Sequence, residues 1–390
     1  MPFALYVLGL AIFAQGTSEF MLSGLLPDIA TDLNVSLSAA GALTSAFAVG
    51  MVLGAPLVAA LSLRWPPRRA LLAFLVVFLL VHVLGALTSS YEVLLATRIV
   101  AALANAGFLA VALAAAAGMV PPDAKGRATS VLIGGITLAC VAGVPAGALL
   151  GQLWGWRSAF WAIALVSAPA VVAILRSVPD RASDTTTPST RAELRALGNP
   201  RLVVTLLLGA LVNGATFCAS TYLALLVTTV AGLDSLWVPA LLALFGVGSF
   251  VGVAVSGRVA DSRPVPLLVV GGVALGLGWV VFALTAGSPV AMVVLVCVQG
   301  ALAFGVGSTL ISQALYAAPG APTLAGGFAT AAFNVGAALG PWLGGITISA
   351  GLGHRSPLWV SAALVVLALV LGAAAHLVRR RTTRSLASTA

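Results

Sequence analysis

Charge is what this sequence has least of. Only 7% of its 390 residues are Asp, Glu, Lys or Arg, while 61% are hydrophobic and the mean hydropathy is +1.13. A soluble domain carries roughly 25% charged residues. So few charges cannot cover a water-facing surface, which excludes a soluble fold and leaves lipid as the fitting solvent. Cysteine is scarce as well. Cys140, Cys218 and Cys297 sit in three different apolar runs, without disulfide or metal spacing, and read as small buried hydrophobes. The three histidines, His82, His354 and His376, have no second ligand at metal spacing, so no metal site is expected and each reads as structural or surface. Lysine is reduced to Lys125. The net charge of +9 is not a nucleic-acid patch, because the basic residues lie in short gaps between apolar runs.

Those runs are what the sequence has in abundance. Backbone polar groups cannot stay unpaired in lipid, so apolar runs of about 20 residues must be helices. Twelve are legible, at 3–27, 39–62, 70–88, 93–120, 129–152, 158–176, 202–230, 236–256, 266–287, 290–317, 324–350 and 357–377. The first is too long for a signal core and lacks a basic leader, so no cleaved signal is expected. The expected class is an all-α integral membrane protein. The expected division is a six-helix bundle over 1–176, a linker over 177–201, a second bundle over 202–378 and a basic tail over 379–390. The linker is polar and proline-bearing, with a short amphipathic helix expected near Ser189–Leu197. Gaps after even-numbered spans, together with the tail, hold sixteen of the 19 basic residues, while gaps after odd-numbered spans hold Arg157 and Arg355. The positive-inside rule then places both termini and the linker in the cytoplasm, and 18 Arg against one Lys, with much Ala, Gly and Val, suggests a GC-rich bacterial genome and so a bacterial inner membrane.

The halves repeat. Phe47, Val49, Gly50 and Gly54 of the second span return as Phe245, Val247, Gly248 and Gly252 of the eighth. Gly143, Gly147 and Gly151 surround Pro145 in the fifth span, as Gly336, Gly340 and Gly344 surround Pro341 in the eleventh. Six spans separate each pair, so the two bundles form a parallel repeat, one of the known transporter plans. Glycines four apart share a helix face and admit a close neighbour, so a packing or hinge role is expected for both triplets.

Two formal charges fall well within the spans, Glu19 in the first and Arg98 in the fourth. Each costs at least ~2.5 kcal/mol at the bilayer centre, so neither should face lipid. Glu19 lies roughly 24 Å along its helix from the cytoplasmic start, and Arg98 roughly 20 Å from the same side, so the two can share a cavity in the outer half of the membrane. In a dry cavity the neutral carboxyl is favoured, and a neighbouring guanidinium favours the carboxylate. An opening that alters this balance lets a carboxylate carry a proton across. The bland alternative is a static ion pair tying two helices together. Gln15, one turn before Glu19, and Asn105, two turns after Arg98, could line the same cavity. So could Asn213, Phe217 and Ser220 on one face of the seventh span, and Gln299 and Gln313 on one face of the tenth. The alternative for each is an interhelical hydrogen bond or packing contact. Amides, hydroxyls and aromatics would suit a mostly neutral, amphipathic ligand.

These residues resemble a family. The chain is similar, over nearly its whole length, to the twelve-helix drug:proton antiporter branch of the major facilitator superfamily, and within it to chloramphenicol-resistance exporters of actinobacteria. Gly16–Ser36 resembles that family's first-helix pattern, with Glu19 on its acidic position, and Leu94–Val100 places Arg98 on its fourth-helix arginine. Gly143–Gly147 resembles the antiporter motif, and Gly257–Arg263, with Asp261, resembles the loop motif after the eighth helix. Leu63 stands where the wider superfamily usually has Asp, and Ala102 where the family often has Gly. The resemblance implies a transporter, not an enzyme. It would work as a monomer, use the proton gradient with no cofactor, and exchange protons for an amphipathic drug such as chloramphenicol. Export of sugars or other metabolites is the alternative within transport. A polytopic membrane enzyme or receptor is a remote one, because no cluster of carboxylates, His or Cys appears at either membrane face.

Overall fold

A computed structural model describes residues 2–62, 65–121, 125–178, 198–259, 264–317 and 322–388. Its described residues contain twelve helices long and apolar enough to cross a membrane. They are α1 (Phe3–Phe20), α2 (Leu37–Ser62), α3 (Pro67–Leu87), α4 (Tyr91–Gly118), α5 (Lys125–Leu138 and Val144–Trp154), α6 (Arg157–Ser177), α7 (Pro200–Thr221), α8 (Trp237–Val259), α9 (Pro264–Thr285), α10 (Pro289–Ala317), α11 (Pro322–Ser349) and α12 (Ser356–Ser388). The helix expected near Ser189–Leu197 lies outside the described residues, as do Leu63, Asp261 and Arg263.

The starts follow local chemistry. Proline opens α3, α7, α9, α10 and α11, where its missing N–H costs nothing. Ser90 caps α4 by accepting from Val93 N at 3.2 Å, and Asn199 caps α7 by accepting from Arg201 N at 3.0 Å. Three spans are less regular than the sequence suggested. α1 stops at Phe20, passes through a 3-10 turn over Met21–Gly24 and restarts as Leu26–Asp32 with Pro27 in its first turn. α5 is widened by a π-helical turn, Ala139–Gly143, directly before Pro145. Proline removes one backbone donor from the ladder, and a wider turn just ahead of it absorbs the mismatch. The run from 200 to 230 breaks at Tyr222, where α7 ends, and closes in Leu223–Leu225 and a π turn over Leu226–Val230.

Short connections make successive helices antiparallel. Odd-numbered helices run from the face that holds the two chain ends, called the near face here, to the opposite far face. One apolar core is built from α1–α6 and a second from α7–α12. Each borrows from the other half: Tyr222 and Leu225 pack into the first, Val144 and Ala148 into the second. α1 is the most enclosed span, whereas α9 and α12 are mostly exposed. Their outward residues, such as Val270 and Leu277, are apolar, as a lipid-facing surface requires.

The repeated glycines do the same job in both halves. A Cβ on Gly143 would collide with Thr17, and one on Gly151 with Leu25, so the α5 triplet admits α1 and its extension. A Cβ on Gly336 would collide with the Ala210 carbonyl, and one on Gly340 with the Gly214 carbonyl, so the α11 triplet admits α7. Gly50 faces Ala102 and Ile99 of α4, while Gly248 faces Cys297 of α10. Ala102 thus fits where it stands because the small residue lies across from it, on α2.

Candidate transport site

The interruption of α1 creates the site. A helix end leaves its last carbonyls without intrahelical donors. Ser18 lies in that last turn and presents its hydroxyl and its carbonyl to α4, with Glu19 beside it. Arg98, on α4, takes both Ser18 groups: Nη1 donates to Ser18 Oγ at 2.9 Å and Nη2 to Ser18 O at 2.8 Å. The planar fork of arginine suits two acceptors held side by side. Its guanidinium carbon also lies 4.4 Å from the centre of the Phe47 ring on α2. Arg98 is 1% exposed, and its Nε has no partner among the described residues.

The structure therefore brings Glu19 and Arg98 into one neighbourhood, as their depths suggested. The Nη donors, however, go to Ser18 rather than to the carboxylate. Glu19 interacts electrostatically with Arg98 and lies next to Asn105 of α4. It also lies within electrostatic range of Cys140. Cys140 lines a cavity of about 200 Å³ between α5 and α8, with Ile136, Thr137, Ser249, Phe250 and Phe304. Cys140 thus lines a space between the two bundles, which Glu19 does not line directly.

The other residues separate into groups. Gln15 is 1% exposed, and both its amide atoms lack partners among the described residues, so it remains a candidate to meet a ligand or water. Asn213 donates to Phe333 O at 2.7 Å and ties α7 to α11. Phe217 packs against Ala48, Ala337 and Ala338, with its ring 5.6 Å from that of Phe20. These contacts join the two halves at mid-depth. Ser220 and Gln299 line a small pocket in the second bundle with Phe245, Trp279 and Phe282. There Gln299 Nε2 donates to Leu275 O at 3.1 Å, while Gln299 Oε1 and Trp279 Nε1 lack partners among the described residues. Gln313 accepts from Arg201 at 3.1 Å near the near face. It is about 21 Å along α10 from Gln299, so these two do not share one cavity. Of the loop motif, Gly257 is described, and a Cβ there would meet nothing within 4 Å. Among the described residues no three His, Cys, Asp or Glu side chains are grouped to hold a metal.

Sequence reasoning passed over Ser18, Phe47, His82, Tyr222 and Trp279. Four of these are ordinary components of apolar spans. His82 did carry a signal, as an ionisable residue inside a span. It lies 1% exposed, with Nε2 2.7 Å from Ser18 Oγ.

Among the described residues, several close contacts between the bundles lie in the far half. A Cβ on Gly41 of α2 would collide with the Tyr222 hydroxyl, and one on Gly345 of α11 would lie 2.7 Å from Ser38 Oγ. Tyr222 itself donates to Pro341 O at 2.9 Å. Gln152 at the end of α5 donates to the Ser235 carbonyl just before α8.

The chain matches the Major Facilitator Superfamily model over residues 8–325. It is 55% identical over 374 residues to the chloramphenicol resistance protein of Streptomyces lividans, covering 95% of each chain. It is 34% identical over 375 residues to the inner membrane transport protein YdhP of Escherichia coli strain K12, again over 95% of each. A chloramphenicol efflux pump of Mycobacterium tuberculosis is 32% identical over 376 residues, 94% of this chain and 90% of that one. Among solved structures, an inward-facing, unoccupied bacterial homolog of the human lysosomal transporter Spinster superposes with a TM-score of 0.74 at 19% identity over 94% of each chain. The nucleoside transporter NupG gives 0.74 at 12% identity, over 95% of this chain and 98% of that one.

Proposed function

Because the chain belongs to the major facilitator superfamily, we propose that it exports small amphipathic drugs, chloramphenicol foremost, in exchange for protons by alternating access. Membership makes it a secondary transporter rather than an enzyme. The substrate class is carried over from the chloramphenicol resistance protein it resembles at 55% identity. The coupling rests on one observation: Glu19, a carboxylate inside a span, sits beside Arg98 and Asn105 and within electrostatic range of Cys140, which lines the cavity between the bundles.

In this reading the bundles of residues 1–176 and 202–378 rock against each other about the mid-depth contacts at Phe217. The near face is cytoplasmic, in a bacterial inner membrane, and the protein works as a monomer. In this reading the close far-half contacts belong to the state open toward the cytoplasm, and they alone support that assignment. A proton entering from outside neutralises Glu19, and its release inward accompanies drug movement outward. Drug and proton each shift the equilibrium between openings only by their differential affinity for the two states. Gln15, whose amide has no partner among the described residues, and Ser220, Gln299, Phe245 and Trp279, which here enclose only about 10 Å³ and must separate to admit a ligand, are the groups offered to a neutral aromatic amide such as chloramphenicol.

The test is uptake of labelled chloramphenicol into everted membrane vesicles energised by a proton gradient. Wild-type protein accumulates drug and a protonophore abolishes it. Glu19→Gln removes accumulation but keeps gradient-independent exchange of drug for drug. Accumulation at the wild-type rate by Glu19→Gln overturns the assignment of Glu19.

A further inference from the structure

We propose that His82 is a positioning residue of the coupling site: through the Ser18 hydroxyl it fixes where the Arg98 guanidinium docks, and so sets how Arg98 and Glu19 interact. The inference rests on the reading of Glu19 and Arg98 as the coupling pair.

The direction of each proton in the cluster follows from its partners. His82 Nδ1 lies 2.7 Å from the Phe78 carbonyl, which can only accept, so Nδ1 carries a proton. Arg98 Nη1 can only donate, so Ser18 Oγ accepts from it at 2.9 Å. The Ser18 hydroxyl then has its own proton to give, and His82 Nε2 is 2.7 Å away with a free lone pair when the ring is neutral. The chain therefore runs one way, from Arg98 Nη1 through Ser18 and His82 to Phe78 O, with each donor along it meeting an acceptor. The three side chains are buried to within 1% of full enclosure.

The surroundings hold the ring in this one pose. The Phe78 ring lies tilted against it at 4.2 Å and that of Phe160 of α6 at 5.8 Å, and neither brings a charge. The charged groups facing the cluster are Arg98 from α4 and Glu19 from α1, next to Ser18. An imidazolium would place a second cation on the same buried hydroxyl as Arg98, with little solvent to screen it. The neutral, Nδ1-protonated ring is thus the form that keeps Arg98 on Ser18. Without it, Ser18 loses its acceptor and the hydroxyl is free to turn, so the Nη1 contact is no longer fixed and the guanidinium, held by Nη2 on Ser18 O, can pivot toward the carboxylate one residue away. A buried polar network is strongest when every member is satisfied, so one change in His82 is felt at Arg98.

Two measurements test this. Protein labelled with 15N-histidine in liposomes should show His82, identified by subtraction of the His82→Gln spectrum, as the neutral Nδ1–H tautomer. The opposite tautomer, or a charged ring, at neutral pH overturns the proposal. In proteoliposomes, His82→Leu keeps bulk but no acceptor, and His82→Gln keeps an acceptor near the Nε2 position. His82→Leu should lower gradient-driven transport of labelled chloramphenicol about tenfold and shift its pH profile, with drug-for-drug exchange held within about twofold, and His82→Gln should restore most of the driven rate. Equal loss of driven transport and exchange in both variants, with a lowered melting temperature, reduces His82 to packing. A wild-type driven rate and pH profile in His82→Leu also overturns the proposal. If Glu19→Gln drives transport normally, the coupling assignment itself has failed, whatever His82 does.

Discussion

Arg98 on α4 is roofed by Phe47 on α2, with the guanidinium carbon 4.4 Å from the ring centre. A desolvated cation over an aromatic face gains about 2 kcal/mol. Phe47 is the residue that the repeat returns as Phe245. In the second bundle that ring meets Phe304 edge-on at 6.0 Å instead of a cation. One repeated position therefore holds a charge in one half and an aromatic in the other. The two bundles share a packing plan and divide the chemistry.

Phe47→Leu should reduce gradient-driven transport several-fold while preserving exchange, because the cation loses its roof but keeps Ser18. Arg98→Lys should be harsher, a loss of about tenfold or more, since one ammonium cannot span both Ser18 acceptors as the fork does. Initial rates in energised vesicles measure both. A wild-type rate for Arg98→Lys would mean that charge alone suffices.

The far-half closure hangs on small residues around Tyr222. Gly41→Val would drive a side chain into the Tyr222 ring and hydroxyl. The protein should then favour the state open at the far face, and a cysteine placed at Ser38 in a cysteine-free background should label several-fold faster with an impermeant maleimide added outside. Tyr222→Phe removes only the hydrogen bond to Pro341 O, worth about 1 kcal/mol, and should shift labelling far less. Unchanged labelling in Gly41→Val would show that this contact does not hold the closed state.

Gly340→Ala should destabilise the folded protein, because its Cβ would meet the Gly214 carbonyl, which is backbone and cannot swing away. Gly257→Ala is the control, with nothing within 4 Å, and should be neutral or stabilising by up to about 1 kcal/mol from helix propensity. Detergent melting temperatures separate them. Equal melting points would remove the triplets' packing role.

Much of this architecture was legible. Span number and the parallel repeat follow from apolar run length and from residues such as Phe47 and Gly50, because lipid forces helices wherever hydrophobicity persists. Glu19 and Arg98 stood out because ions in a span are rare. What stayed hidden was set by tertiary contact. The end of α1 at Phe20 has no proline or glycine to announce it. Whether an amide meets ligand or backbone is decided by its neighbour, and Asn213 found the Phe333 carbonyl. His82 looked solitary because Ser18, which it meets directly, and Arg98, which it meets through Ser18, are on other helices, 64 residues away in the first case. Isolation along the chain says nothing about isolation in space.

At the far end of the first bundle, outside the spans, Asp32 accepts from Arg157 Nη1 at 2.5 Å and from Trp156 Nε1 at 3.1 Å, while Arg157 Nη2 reaches Thr88 O at 3.0 Å. These bonds, chiefly Arg157, hold the Asp32 carboxyl below its ordinary range. A carboxyl favoured as the anion in the folded state stabilises the fold above its unfolded value, near 4, and loses that contribution as pH falls through the lower folded value. Asp32→Asn should therefore melt lower than wild type at neutral pH, and the gap should close only at pH values below about 4. The gap should be small, about 1 kcal/mol or less, because the two side chains are 34% and 45% exposed and water screens them. Melting curves of both proteins from pH 7 down to the acid limit decide it. A gap that persists unchanged through the acid range would assign the loss to the shape of the side chain rather than to its charge.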